Sequence, residues 1–371
     1  MNNDEPLVLH VIPGLGFGGA EQVLTSLVTA KRSQPFQQVI VDLLGGGALA
    51  ERIRAAGIPV HDLNVSGPAG APLAVIRLAM LIRKLKPTTI QSWLYYGDIL
   101  AYWALKLSGR RASTRLYWGI RCSELELDRY SWLLRRTISA CARRSSEPDA
   151  VVANSYVGRE VHRQLGYKPR AFPVIPNGVD TSRFKPDAQA RKAIRSELSI
   201  GDETPLVLHV ARVDPMKDHA GLLTVAGMLP KVTFVMAGAH TNELKAPANV
   251  RALGIRSDMP SVYAAADIVV STSAFGEGFS NAIAEAMASA IPVISTDVGD
   301  ARAIVNGTGI IVPPRDPRQM ADSITSMLGE MPDGLRSRGS ASRDRILTNY
   351  SLDLAVAAFD ALHVRGVLPN N

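Results

Sequence analysis

Five residues are written twice in this chain. LVLHV opens at Leu7 and again at Leu206, 199 positions later. Each copy heads a series of short apolar runs separated by helical patterns. The first series is LVLHVI, QQVIVDLL, TTIQSWL, TRLYWGI, DAVVANS and AFPVI; the second is LVLHVA, VTFVMAG, NVRALGI, DIVVSTS, IPVISTD and GIIVPP. Between them lie helix candidates at 20–32, 71–86, 97–108, 130–144, 217–228, 281–289 and 317–329. Strand–helix alternation with continuous Val/Ile-rich strands predicts parallel sheets covered on both faces. Twelve strands exceed one small sheet, and 371 residues exceed what one core usually supports. The duplication therefore predicts two doubly wound α/β domains, each starting on LVLHV.

The boundary reads PVIPNGVDTSRFKP, with three prolines and a glycine, and Asn177 and Gly178 are its hinge candidates. The reading is a first domain over 1–175, a second over 176–350, and a terminal segment 351–371. That segment is apolar at Leu352, Leu354, Val356, Phe359 and Leu362, which demands a partner surface. Doubly wound domains bind ligands in the loops beyond their strand C-termini. Two of them facing each other would place both first-strand loops in one cleft.

Composition narrows the class. Cys122 and Cys141 are the two cysteines and form no CxxC or metal-ligand spacing, which points to a reducing compartment and away from structural zinc. The acidic start MNNDEP does not read as a signal peptide, and the apolar stretch APLAVIRLAMLI, interrupted by Arg77, is too short to span a bilayer. The net charge of +7 is uneven: 22 Lys and Arg face 13 Asp and Glu before Pro176, a net of +9, and 19 face 21 after it. An anionic partner for the first domain or a merely solvated basic surface would both account for this.

Three loops carry the residue types of a phosphate or sugar site. Gly14, Gly16 and Gly19 match G-x-G-x-x-G after a strand, with Asp42 ending the next strand. This pattern admits an NAD-linked oxidoreductase, although Glu21 just inside the helix would repel a pyrophosphate. After the second LVLHV, Arg212 and Lys217 stand five apart around Pro215, which suits either a diphosphate or a solvated pair balanced by Asp214 and Asp218. Finally, DIVVSTS runs into FGEGFSNAIAEAMA, where Glu277 lies between glycines and a helix begins near Ser280–Asn281. Amides of Phe279, Ser280 and Asn281 would form an anion site there. Glu285 sits off the capping-box position on an otherwise apolar helix, where a carboxylate suits a ribose diol.

Taken together, Glu277-x7-Glu285, Arg212 and Lys217, GGAE at 18–21 and IPNGVD at 175–180 resemble the retaining family-4 glycosyltransferases of GT-B fold. The likeness covers almost the whole chain. It implies sugar transfer from a nucleoside diphosphate donor without a metal or other cofactor. The second domain would hold the donor and the first the acceptor. By this resemblance Arg212 and Lys217 stabilise the leaving diphosphate, Glu277 contacts the donor sugar, and Gly278, Phe279, Ser280 and Asn281 line the donor. Glu285 would hold the ribose, the backbone near Gly254 would face the base, and Gly18 and Gly19 would close over the phosphates. Where many relatives carry a histidine beyond the fourth strand, this chain has LYWGIRCSELE, with Trp118, Arg121 and Cys122 instead. Arg121 is the candidate polar replacement. Glu21, Trp93, Tyr95 and Tyr96 join Trp118 on the acceptor side, with strand-end core packing as the alternative for the aromatics.

The segment DRYSWLLRRTISACARR reads as an amphipathic helix pairing Trp132 and Leu133 with Arg135, Arg136, Arg143 and Arg144. Such a face suits an anionic membrane. No nucleic-acid reading module accompanies the charge. The expectation is therefore a cytoplasmic enzyme, peripheral on the inner membrane face, building a lipid-linked or envelope glycan such as a lipopolysaccharide or exopolysaccharide.

Overall fold

The computed structural model describes residues 5–16, 18–31, 36–123 and 131–367. Two compact units emerge. One holds the chain up to Gly178 together with the residues from Leu352 onward; the other is Val179–Ser351. The crossing thus lies three residues beyond the proline-rich boundary read from the sequence.

In the first unit, β1 (Leu7–Ile12), β2 (Gln37–Asp42), β3 (Val60–Asp62), β4 (Thr89–Ser92), β5 (Arg115–Ile120) and β6 (Ala150–Ala153) form one parallel sheet in the order β3-β2-β1-β4-β5-β6. In the second, β7 (Leu206–Val210), β8 (Thr233–Ala237), β9 (Val250–Ala252), β10 (Ile268–Ser271), β11 (Val293–Thr296) and β12 (Ile310–Val312) are ordered β12-β11-β10-β7-β8-β9. Read from opposite edges the two orders are the same permutation. The strand order reverses beside β1 and beside β7, and ligands enter doubly wound sheets at such reversals.

The two LVLHV copies are therefore equivalent central strands, flanked on both sides and buried on both faces, which is why neither alternates with polar residues. Their shared histidine has a shared use. Trp93 just beyond β4 donates its indole N–H to Nδ1 of His10 at 3.3 Å, and Thr272 just beyond β10 lies 3.2 Å from Nε2 of His209. Each imidazole thus ties the first strand to the strand across the reversal. Burial holds His209 well below the ordinary imidazole range.

Two strand assignments differ from the sequence reading. The third strand of the first sheet is the short edge strand Val60–Asp62, which the sequence patterns did not mark. Its edge position needs few apolar residues. The run AFPVI is instead an irregular strip along β6, where Ala171 and Pro173 carbonyls accept from Val151 and Ala153 and Ile175 donates back to Ala153. Pro173 lacks the N–H that a regular ladder needs. The terminal helix Leu352–Asp360 belongs to the first unit: Phe359 stacks on Trp93 with ring centres 6.0 Å apart, and Thr89 donates to the His363 carbonyl at 2.8 Å.

Candidate active site

In the second unit the candidate residues meet at the C-terminal ends of β7 and β10, the neighbouring strands at the reversal. Asp214 starts the turn after β7 by accepting from the Met216 amide at 3.0 Å, and its other oxygen takes the Arg212 guanidinium at 2.7 Å. Arg212 remains exposed. The turn is laced to the β10 loop: Thr272 Oγ1 donates to the Lys217 carbonyl at 2.7 Å and the Ala274 amide to Met216 at 2.7 Å. Because Thr272 spends its proton on Lys217, it accepts from His209. Lys217 then reaches across to Glu277 in a close ion pair, and the Ser273 hydroxyl donates to the same carboxylate oxygen at 2.5 Å. Glu277 is buried, so its charge depends on these partners.

The helix Asn281–Ala288 follows, with Ser280 at its N-cap making no side-chain capping bond. Phe279 is buried against Tyr350, so Gly278 and Phe279 serve through their backbone. One turn into the helix, Glu285 accepts from the Tyr263 hydroxyl at 3.0 Å. Burial pushes its carboxyl up to about 7, against the opposing pull of the Tyr263 bond and Arg183.

Two glycines that the sequence patterns did not single out shape this edge. Gly299 has φ +60, and a Cβ there would lie 2.3 Å from the Glu277 carbonyl oxygen. It lets the Glu277 loop close onto the start of the next helix. Gly238, at the end of β8, would place a Cβ 2.1 Å from the Ala211 carbonyl, so the turn carrying Arg212 needs a bare backbone there. Gly238 also donates to the Gly254 carbonyl at 2.8 Å, which sets Gly254 beyond β9 on the same edge. Both glycines follow a strand and precede a loop, a signal that periodicity ignores.

In the first unit the dinucleotide pattern lacks an open carboxylate at its second strand. Asp42, which would have to hold a ribose, is fully buried and accepts from the Leu44 and Gly45 amides at 3.1 and 2.9 Å. Both bonds fall on Oδ1, and Oδ2 is buried without a hydrogen-bond partner among the described residues, so the carboxylate presents no open face to a diol. Gly18 is the N-cap of the helix Gly19–Thr29, and the Glu21 carboxylate folds against it, occupying the end where a pyrophosphate would rest.

The acceptor-side aromatics divide. Trp93 and Trp118 are 0 % exposed and Tyr95 is buried with its hydroxyl 2.7 Å from His162 Nε2 and 3.0 Å from Cys122, so these three are core residues, not ligand-facing ones. Tyr96, one residue on, turns to the wall of an open pocket. Arg121 lies over the Trp93 ring, its guanidinium carbon 4.3 Å from the centre, and donates to Asn177 at 3.3 Å. Burial lowers its pKa to about 9, the nearby Asp98 opposing this. Its Nε and Nη2 are buried without hydrogen-bond partners among the described residues. Asn177 and Gly178 immediately precede the crossing into the second unit, where the Val179 amide bonds to Tyr350 at 2.9 Å beside the returning chain. Among the described residues no three His, Cys, Asp or Glu side chains are grouped to hold a metal, and no helix is long and apolar enough to cross a membrane.

Two family models match in tandem. Glycosyltransferase Family 4 covers residues 17–183, and Glycosyl transferases group 1 covers residues 204–330. The chain belongs to the family-4 glycosyltransferases. The chain is 32% identical over 233 residues to a D-inositol 3-phosphate glycosyltransferase of Xylanimonas cellulosilytica, covering 57% of this chain and 55% of that protein. It thus spans about half the length of such relatives. It is 26% identical over 340 residues to the GDP-mannose-dependent alpha-(1-6)-phosphatidylinositol monomannoside mannosyltransferase of Mycobacterium tuberculosis, covering 84% of this chain and 85% of that one. Its fold is that of Anabaena Alr3699/HepE, solved with UDP, at a TM-score of 0.82 and 20% identity over 97% of this chain and all of that one. Sucrose-phosphate synthase of Thermosynechococcus elongatus matches at 0.78 and 19% over 97% and 98%. The two-domain α/β architecture of the glycosyltransferase is GT-B.

Proposed function

We propose that this glycosyltransferase moves a sugar from a nucleoside diphosphate donor to a lipid-linked or glycan acceptor of the cell envelope. We propose further that it retains the anomeric configuration and uses no metal. The observation that carries the reading is the Lys217–Glu277–Ser273 cluster, set at the strand reversal beside the N-terminus of Asn281–Ala288. Breaking the bond to a diphosphate places charge on the leaving oxygens. Exposed Arg212, Lys217 and the first helical amides are the positive groups available to neutralise it. Glu277 serves as the counter-ion of Lys217 and keeps its ammonium placed until the diphosphate arrives. Glu285 takes the ribose hydroxyls, and the backbone at Gly254 faces the base. With Glu277 paired and Glu285 given to the ribose, the two-carboxylate scheme of hydrolases is a poor match.

On the acceptor side, Arg121 offers two buried nitrogens, Nε and Nη2, as donors to a ligand. The inositol 3-phosphate in one relative's name supports an anionic substrate for this chain, and the phosphatidylinositol monomannoside in another's supports a membrane-borne one. So do exposed Trp132, Arg135, Arg136 and Arg143 on the helix Trp132–Arg144, which fit a peripheral position on the inner membrane face. The test is ligand-induced stabilisation. UDP or GDP at about 100 times its Kd should add about 2.7 kcal/mol to the donor unit's stability, while NAD adds nothing. Stabilisation by NAD alone would overturn the reading.

A further inference from the structure

At the C-terminal ends of β1, β2 and β3, the first unit holds an open pocket of about 370 Å³. Its walls are Leu43 and Leu44 from the loop after β2, Ala74 from the helix Ala71–Leu85, Ile99 and Leu100 from the helix Leu94–Leu107, and Leu133 from the helix Trp132–Arg144. This is the end of the sheet where doubly wound domains receive ligands. A polar sugar would find few partners here, because almost the whole lining is hydrocarbon and the aromatic Tyr96. Apolar surface also reaches the mouth: Leu44, in the lining, is itself 53% exposed. A cation stands on a neighbouring wall. Arg136 is exposed one turn along the helix from Leu133, and its guanidinium lies 5.5 Å from the Trp132 ring centre.

We propose that this pocket binds the hydrocarbon chain of a phosphorylated lipid, and that this lipid is the acceptor. The chain, acyl or prenyl, enters between Leu44, Ile99, Leu100 and Leu133. Its phosphate stays at the mouth, within the field of Arg136, where a charge need not be buried. The two features demand one amphiphile. A free sugar phosphate leaves the pocket empty, and an uncharged lipid brings no anion to Arg136. Calling the occupant an acceptor rests on the transfer reading above; the pocket's preference for a chain does not.

The test is calorimetric binding of n-alkyl phosphates to the full chain without donor, below their micelle concentrations. Affinity should tighten about fourfold per methylene and then level off once the pocket is full. Octyl phosphate should bind at least about tenfold tighter than octyl glucoside at low salt, an advantage that shrinks as salt rises. Ala71→Phe, at the rim, and Thr137→Phe, on the opposite wall, should each cost octyl phosphate about tenfold or more and leave ethyl phosphate unchanged. Chain-length-independent affinity on the unaltered protein overturns the proposal, whether or not either variant folds. So does wild-type octyl phosphate binding in a variant that unfolds cooperatively at the wild-type temperature, and so does equal affinity for the glucoside. Chain-dependent binding with no sugar transfer to any long-chain phosphate would sink the transfer reading and leave the pocket standing.

Discussion

The proposed ribose role of Glu285 links donor binding to the protonation of this carboxyl and to the stability of the fold. Burial raises its carboxyl from the ordinary 4.5 to about 7, with Tyr263 and Arg183 opposing. Between those values the folded chain keeps a proton that the unfolded chain has lost. Stability contributed by this group is therefore complete below about pH 4.5, falls as pH rises toward 7, and is gone above it. A shift of that size corresponds to about 3 kcal/mol. Glu285→Gln keeps the shape of the neutral carboxyl and cannot ionise. In urea denaturation it should match the wild type near pH 4.5 and exceed it by about 2–3 kcal/mol at pH 8. Ribose hydroxyls donate, so they favour the ionised carboxylate. Binding a nucleoside diphosphate should then expel about 0.9 proton at pH 6 and about 0.1 at pH 8. Calorimetry in buffers of different ionisation enthalpy reads this, and subtracting the Gln variant cancels the diphosphate's own titration. At pH 8 the variant should bind at least about tenfold more weakly. Identical proton release in both proteins, with undiminished affinity in the variant, would refute the ribose assignment.

Lys217→Ala and Arg212→Ala should each lower kcat by about 100-fold or more if both cations act on the leaving diphosphate, and steady-state kinetics with saturating donor checks this. Lys217→Ala should also destabilise the fold, because Glu277 then keeps only Ser273, whereas exposed Arg212→Ala should not. Gly299→Ala should cost about 1–2 kcal/mol for its left-handed backbone alone, with more from the collision at the Glu277 carbonyl. Its donor affinity should fall while the affinity of the first unit for octyl phosphate stays unchanged. Neutralising Arg135, Arg136, Arg143 and Arg144 should release the protein from anionic vesicles, each contributing about 1 kcal/mol to binding. High salt should do the same in a sedimentation assay, with nucleotide binding intact in both cases.

Much of the architecture is carried by local pattern. Continuous apolar strands between helical periods specify parallel, doubly covered sheets, and the repeated LVLHV marks two of them. Arg212, Lys217, Glu277 and Glu285 stand out because charged residues at strand ends or on apolar helices lack a packing reason. What local pattern cannot express is who faces whom. Edge strand Val60–Asp62 and strip AFPVI exchange roles because pairing depends on neighbours brought from elsewhere and on the missing amide of Pro173. Tyr95 and Tyr96 are adjacent identical letters, yet one is core and the other lines a pocket, since consecutive helical positions point about 100° apart.

The polar helix Asp333–Asn349 escaped the periodicity reading for a related reason. Its apolar stripe is thin, with only Leu335 and Ile346 buried on either side of Gly339 and Ser342, so close approach and polar contacts complete its hold on the second unit: Gly339 brings it against the Ala290 carbonyl, and Arg343 caps the carbonyl of Ala288 and donates to that of Phe184 at 2.9 Å. Likewise Asp42 has the right letter and spacing for a nucleotide carboxylate, and only the fold of its turn commits it to the Leu44 and Gly45 amides. The sequence by itself determined the element types, the duplication and the candidate charges, because those follow from side-chain chemistry along the chain. Only the tertiary structure decided which charges pair, which aromatics are covered and where a pocket opens, because those depend on distances between residues far apart in sequence.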